Sequence, residues 1–122
     1  MLDYKDLDVW KSSRTLANSI YKITKEFPKN EAFGLTQQIR RSAVSVSSNI
    51  AEGIGRNFTK DTLQFLFIAR GSLFELESQL IIAMDQNYLS KEMFSSISNE
   101  IDDCKKLLNG FINYHQNKLS KH

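Results

Sequence analysis

Arg40 and Arg41 stand side by side in the stretch QIRRSAVSVSSNIAEG, which runs from residue 38 to 53. With Lys11, Lys22, Lys25, Arg56 and Lys60 they are the cations of the first half of the chain that could bind phosphate groups. If these bases converge on one surface, or are multiplied around an oligomer, they make a polyanion-binding face whose affinity falls steeply with salt. On a helix, adjacent residues are about 100° apart, so the spacing sets Arg40 and Arg41 on different sides and argues against one clamp.

Two further charges, Arg70 and Glu77, fall on the flank of an apolar helical stripe and point toward a core. A buried charge without a partner costs about 3–5 kcal/mol, so both require one. They are about 10 Å apart along a helix axis, so only the long arginine makes direct pairing conceivable. Asn49 and Ser42 are candidate bridging groups.

Catalytic chemistry is poorly supplied. Histidine occurs only at 115 and 122. No Glu-x-x-His pair of the di-iron bundle type occurs, and neither does a phosphate-binding glycine loop or a nucleophile elbow. Arg70 has no histidine four to six residues on, as helical RNA-cleaving domains have. The chain is therefore expected to be no enzyme, with no cofactor, no metal and no small-molecule substrate. Cys104 is the sole cysteine; with no internal disulfide possible, it fits a reducing cytoplasm and a place in the core.

The elements that position these residues follow from periodicity. One proline and five glycines punctuate 122 residues, and no alternating strand pattern occurs. The expected class is all-α, an antiparallel up-and-down four-helix bundle forming one domain over residues 1–122. The helices are expected at about residues 6–26, 36–53, 60–86 and 90–118. In the first, Leu7, Trp10, Ala17, Ile20 and Ile23 share a face, beside a polar stripe with Lys11, Lys22 and Lys25. The second carries Ile39, Ala43, Val46, Ile50 and Gly53 at seam spacing, the third Leu66, Ala69, Leu73, Leu76, Leu80 and Ala83, the fourth Ile97, Ile101, Cys104, Leu108, Phe111 and His115.

Punctuation supports these bounds. The glycines of GIGRNFT predict a left-handed cap after the second helix, Thr59 is expected to cap the third and Ser90 the fourth. The third helix is apolar nearly all round, with Phe65, Ile68 and Ile82 behind its seam, and Gly71 lies in its interior. Glycine there costs about 1 kcal/mol relative to alanine, so a close backbone approach by a neighbour is expected. Both features predict self-association.

Charge is unevenly spread. Residues 1–60 hold ten Lys/Arg against six Asp/Glu, residues 61–103 two against eight, and residues 104–122 four bases with no acid. No leader-like segment opens the chain, and no run approaches the roughly 20 apolar residues that a membrane helix needs.

The blocks YKDLDVWKSS, FGLTQQIRRSAVSVSSNIAEGIGR and FLFIARGSLFELESQL resemble the four-helix bundle family named for the protein encoded in intervening sequences of bacterial 23S rRNA genes. The resemblance covers Tyr4 to about Leu108 and is distantly shared with the accessory variability proteins of retroelements, whose basic pentameric barrel binds nucleic acid and a reverse transcriptase. It implies a bundle that assembles as a homopentameric ring without established enzymatic activity. The motif positions Asn49, Glu52, Gly53, Arg70, Gly71 and Glu77 are then expected to serve helix packing and subunit contacts. Val46-Ser47 stands where many relatives have a proline. Two functions stay open: binding of structured RNA or a ribonucleoprotein through bases repeated around the ring, or a protein-interaction scaffold that does not touch nucleic acid.

Overall fold

The computed structural model describes residues 2–121; Met1 and His122 lie outside the described residues. Four helices, α1 (Asp8–Thr24), α2 (Leu35–Ile54), α3 (Thr59–Asp85) and α4 (Lys91–Ser120), follow one another through short connections. Each packs against two others, α1 on α2, α2 on α3, α3 on α4 and α4 back on α1, so the four enclose one core. This is a four-helix bundle.

The seams of α2 and α3 are the expected ones. Ile39, Ala43, Val46, Ile50 and Gly53 are buried, as are Leu66, Ala69, Leu73, Leu76, Leu80 and Ala83. Each fully buried leucine of α3 contributes about 1.5–3 kcal/mol through the apolar area taken from water.

In α4 the buried line ends Leu108, Ile112, His115, so Ile112 takes the place expected of Phe111, which is half-buried. In α1 the expected face is displaced. Val9, Ser13, Leu16, Ile20 and Thr24 are buried, while Leu7, Trp10, Ala17 and Ile23 pack at its edges. Ser13 and Thr24 can sit in the core because their hydroxyls donate to the helix's own carbonyls, Ser13 Oγ to Trp10 O and Thr24 Oγ1 to Ile20 O, each at 2.7 Å.

The ends differ in detail from the expected ones. A 3-10 turn over Tyr4–Asp6 precedes α1, and Leu7 is extended, so the α-helix starts at Asp8 and not at residue 6. Phe58, not Thr59, occupies the N-cap of α3, and no side chain caps that end. Thr62 serves the corner between α2 and α3 instead, its Oγ1 donating to Gly53 O at 2.7 Å. Gly55 closes α2 in a right-handed conformation (φ −76°), and the left-handed residue among the described residues is Asn87 (φ 63°), in the turn before α4. Ser90 caps α4 as expected, its Oγ accepting from Met93 N at 3.1 Å.

No described helix is long and apolar enough to cross a membrane.

Candidate functional site

The seven candidate cations divide between the two ends of the bundle. Lys22 and Lys25 lie at the C-terminal end of α1 and Arg40 and Arg41 near the start of α2, the two ends joined by the turn that contains Pro28. Arg56 and Lys60 flank the corner between α2 and α3 at the opposite end, with Lys11 in the first turn of α1. Sixteen residues of helix and corner separate Arg40 from Arg56, on the order of 24 Å at 1.5 Å per residue. The bases therefore form two groups.

Pairing separates them further. Arg56 Nη2 contacts Glu52 Oε1 at 2.9 Å, an exposed pair one helical turn apart, and its guanidinium covers the Phe65 ring at 4.6 Å. The other six have no carboxylate within ion-pair distance among the described residues.

Arg40 is the best-held of these. Its Nε donates to Thr24 Oγ1 at 2.8 Å, and its guanidinium lies 4.7 Å from the centre of the Tyr21 ring. Because Thr24 passes its own proton to Ile20 O, Arg40 is fixed to α1 through a chain of two hydrogen bonds. Beside it an open groove of ≈ 580 Å³ is lined by Tyr21, Phe33, Gln37, Arg40, Arg41 and Val44, among others, and no carboxylate lines it. Arg40 and Arg41 thus border one groove despite leaving the helix in different directions. A long side chain from each reaches the recess that the loop before α2 creates, and helix angle alone omits that loop.

The loop contributes Phe33, whose side chain is 94% exposed. Phe33 escapes periodic reading because it belongs to no apolar stripe. The available signal was an aromatic residue next to Gly34 outside any helix.

Arg70 and Glu77 find their partners on α4, not on α2 and not on each other. Arg70 Nη1 donates to Asn109 Oδ1 at 3.2 Å and lies over Phe67, and Lys105 Nζ meets both Glu77 oxygens at 2.9 Å. Both charges leave the α3 seam on the flank that α4 covers, which puts Ser42 and Asn49 of α2 out of reach. Ser42 Oγ instead donates toward Glu75 Oε1 (2.8 Å) and Gln79 Oε1 (3.0 Å). Asn49 Nδ2 donates to Ser45 O at 2.8 Å and Ser45 Oγ meets Ser72 Oγ at 2.8 Å, which makes a polar seam between α2 and α3.

The two motif glycines differ. At Gly53 a β-carbon would lie 3.0 Å from Phe65 Cβ, so glycine permits the close crossing of α2 and α3. At Gly71 a β-carbon would meet nothing within 4 Å, so the close approach expected there is not made within the chain. Gly71 lies on the outward side of α3 among Phe67, Ile68, Phe74, Ile81 and Ile82, each 38–52% exposed.

Two remaining titratable groups are core residues. Burial pushes the Cys104 thiol up to about 11, against a smaller lowering by the Ser12 hydroxyl. His115 packs edge-on against Phe111 at 4.5 Å, and burial holds its imidazole below the usual histidine value, with the Phe111 carbonyl acting in the opposite sense. No group of three or more His, Cys, Asp or Glu side chains among the described residues is placed to hold a metal ion.

Comparison with known proteins bears on this arrangement. No curated protein matches the chain. A crystal structure of a protein of unknown function from the S23 ribosomal protein family of Bacteroides thetaiotaomicron is similar over 86% of this chain and 95% of that one, with a TM-score of 0.79 and 27% identity. The family described as 23S rRNA-intervening sequence protein matches residues 5–110, which include every motif position from Asn49 to Glu77. The chain belongs to the 23S rRNA-intervening sequence protein family.

Proposed function

We propose that this protein is a non-enzymatic, self-associating helical bundle that binds RNA or a ribonucleoprotein, its basic residues multiplied around a ring of five copies. The observation that carries the reading is the state of its cations. Lys11, Lys22, Lys25, Arg40, Arg41 and Lys60 stand without carboxylate partners among the described residues, whereas Lys105 on the acidic side of the bundle is paired. Cations left free are the ones that can release counterions from a polyanion. The outward apolar side of α3 supports self-association, since burying it would remove Ile68 and Ile82 from water.

The test is a gel shift with structured rRNA fragments, with retarded bands expected at about 50 mM salt and lost as salt rises. Absence of any shift at low salt sinks the reading.

A second reading, a protein-interaction scaffold, is favoured by that same α3 face. Affinity capture that recovers defined proteins after nuclease treatment, without bound RNA, selects it.

A further inference from the structure

We infer that the groove between the end of α1 and the start of α2 is a binding site for single-stranded nucleic acid, with a base stacked on Phe33 and phosphates held by Arg40 and Arg41. The inference deepens the RNA-binding reading above and rests on it.

Phe33 is the first reason. A phenyl ring 94% exposed gains nothing from the core, and an isolated ring of this kind has both faces open to a flat partner. Bases supply such faces without regard to sequence, and stacking on aromatic side chains is the recurring device of single-strand binding.

The second is the chemistry of the walls. Two guanidinium groups and two aromatic rings face the groove, and no carboxylate does. Arg40 is already ordered by Thr24 and by the Tyr21 ring, so it would lose little side-chain freedom on meeting a phosphate. Arg41 is exposed and free to follow the backbone of the strand.

Shape decides between nucleic acid and an acidic peptide. A peptide anchored by an apolar side chain needs an enclosed, desolvated pocket, the usual setting of interface hot spots. Here the recess is open and its largest apolar group protrudes into solvent. A protruding ring suits a base that is splayed out and stacked.

A duplex cannot use the same groove in this way, because its bases are already stacked on one another and its edges are turned inward. The site therefore discriminates single strands, loops and bulges from continuous double helix.

The test uses the full chain and a fluorescein-labelled single-stranded 12-mer RNA, compared by anisotropy with the same strand annealed to its complement. Phe33→Ala is expected to weaken the single strand about 5- to 150-fold, the range for loss of one stacked base, with little change for the duplex. Arg41→Ala is expected to lower the salt slope by about 0.7, the share of one phosphate contact on a single strand. Phe33→Trp should keep the affinity and lose indole emission when RNA is added, measured against the Trp10 background of the parent protein. Full single-strand affinity in Phe33→Ala, or unchanged emission of the new indole in the presence of bound RNA, overturns the site while leaving RNA binding elsewhere on the surface intact. Failure of the parent protein to bind either RNA overturns both readings. Arg41-dependent binding of an acidic peptide without RNA binding assigns the groove to protein instead, and also overturns the proposal.

Discussion

Gly53 and Phe65 meet so closely that a methyl group between them would require its neighbours to give way: a β-carbon at 53 would lie 3.0 Å from Phe65 Cβ and 3.2 Å from the Thr62 carbonyl oxygen. Both are parts of the scaffold with little freedom to give way. Gly53→Ala gains up to about 1 kcal/mol of helix propensity but incurs about 1–3 kcal/mol of overpacking, for a net loss of up to about 2 kcal/mol. Gly71→Ala has the same propensity gain and no clash, so it is expected to stabilise a dilute sample by about 0.5–1 kcal/mol. Thermal melts of the two variants should move in opposite directions. A shift of the same sign in both contradicts the packing described for the α2/α3 corner.

The pair of Lys105 with Glu77 makes a second prediction. Both side chains are about three-quarters buried, with 23% and 28% exposure, and Lys105 Nζ also lies 5.2 Å from the Phe74 ring. Such a pair stands between an exposed one, worth under 1 kcal/mol, and a fully buried one. Glu77→Gln is expected to destabilise by about 1–2 kcal/mol in denaturant titration. A double-mutant cycle with Lys105→Met should show coupling above about 0.5 kcal/mol. The corresponding cycle of Glu77→Gln with Arg70→Met should be additive, because Arg70 is bonded to Asn109. Coupling of Glu77 to Arg70 in place of Lys105 would reassign the network.

These pairings mark where sequence reading stops. The α2 and α3 seams were legible because their apolar residues recur at helical spacing, and the buried Thr36, Ser42 and Thr62 lie before or beside those steps without breaking them. The α1 seam was not, since Ser13 and Thr24 occupy it with hydroxyls satisfied inside the helix, a device that an apolar count cannot register. Charges at 70 and 77 could be read as needing partners, but the partner's identity depends on which flank of α3 is covered by which helix. The groove at Arg40 was out of reach for a similar reason. It needs α1, α2 and the loop that carries Phe33 at once, and only the folded chain brings Phe33 and Tyr21 beside the two arginines.

His115 gives the stability a pH dependence with a definite sign. Burial lowers its folded pKa below the unfolded value near 6.5, so the unfolded chain binds a proton that the folded chain resists. Stability from this group is complete above about pH 6.5 and is lost as pH falls from there through the lower, folded value. The imidazole meets Phe111 O at 3.0 Å through Nδ1, and the charge of Lys118 lowers the pKa further. The melting temperature should therefore rise between about pH 5 and 7, and His115→Gln should flatten that part of the curve. An identical slope in the variant would place the titrating group elsewhere.

Cys104 sits in the seam of α4 with no exposed surface, and burial pushes its thiol up to about 11. Reaction with a disulfide reagent needs the thiolate, and at pH 8 a thiol of that pKa is ionised about 200-fold less than a free cysteine of pKa about 8.5. Access to the sulfur adds a second barrier, because the reagent reaches it only when α4 separates from its neighbours or the chain unfolds. Native protein mixed with Ellman's reagent at pH 8 should release no thionitrobenzoate on a timescale of minutes, while the same protein in denaturant should release one equivalent. Leu108→Ala, which removes a fully buried neighbour one turn along the same seam, should cost about 2–5 kcal/mol and accelerate the reaction by raising the open population. Rapid modification of the unaltered native chain would show that the α4 seam opens without global unfolding, against the closed four-sided packing of the bundle.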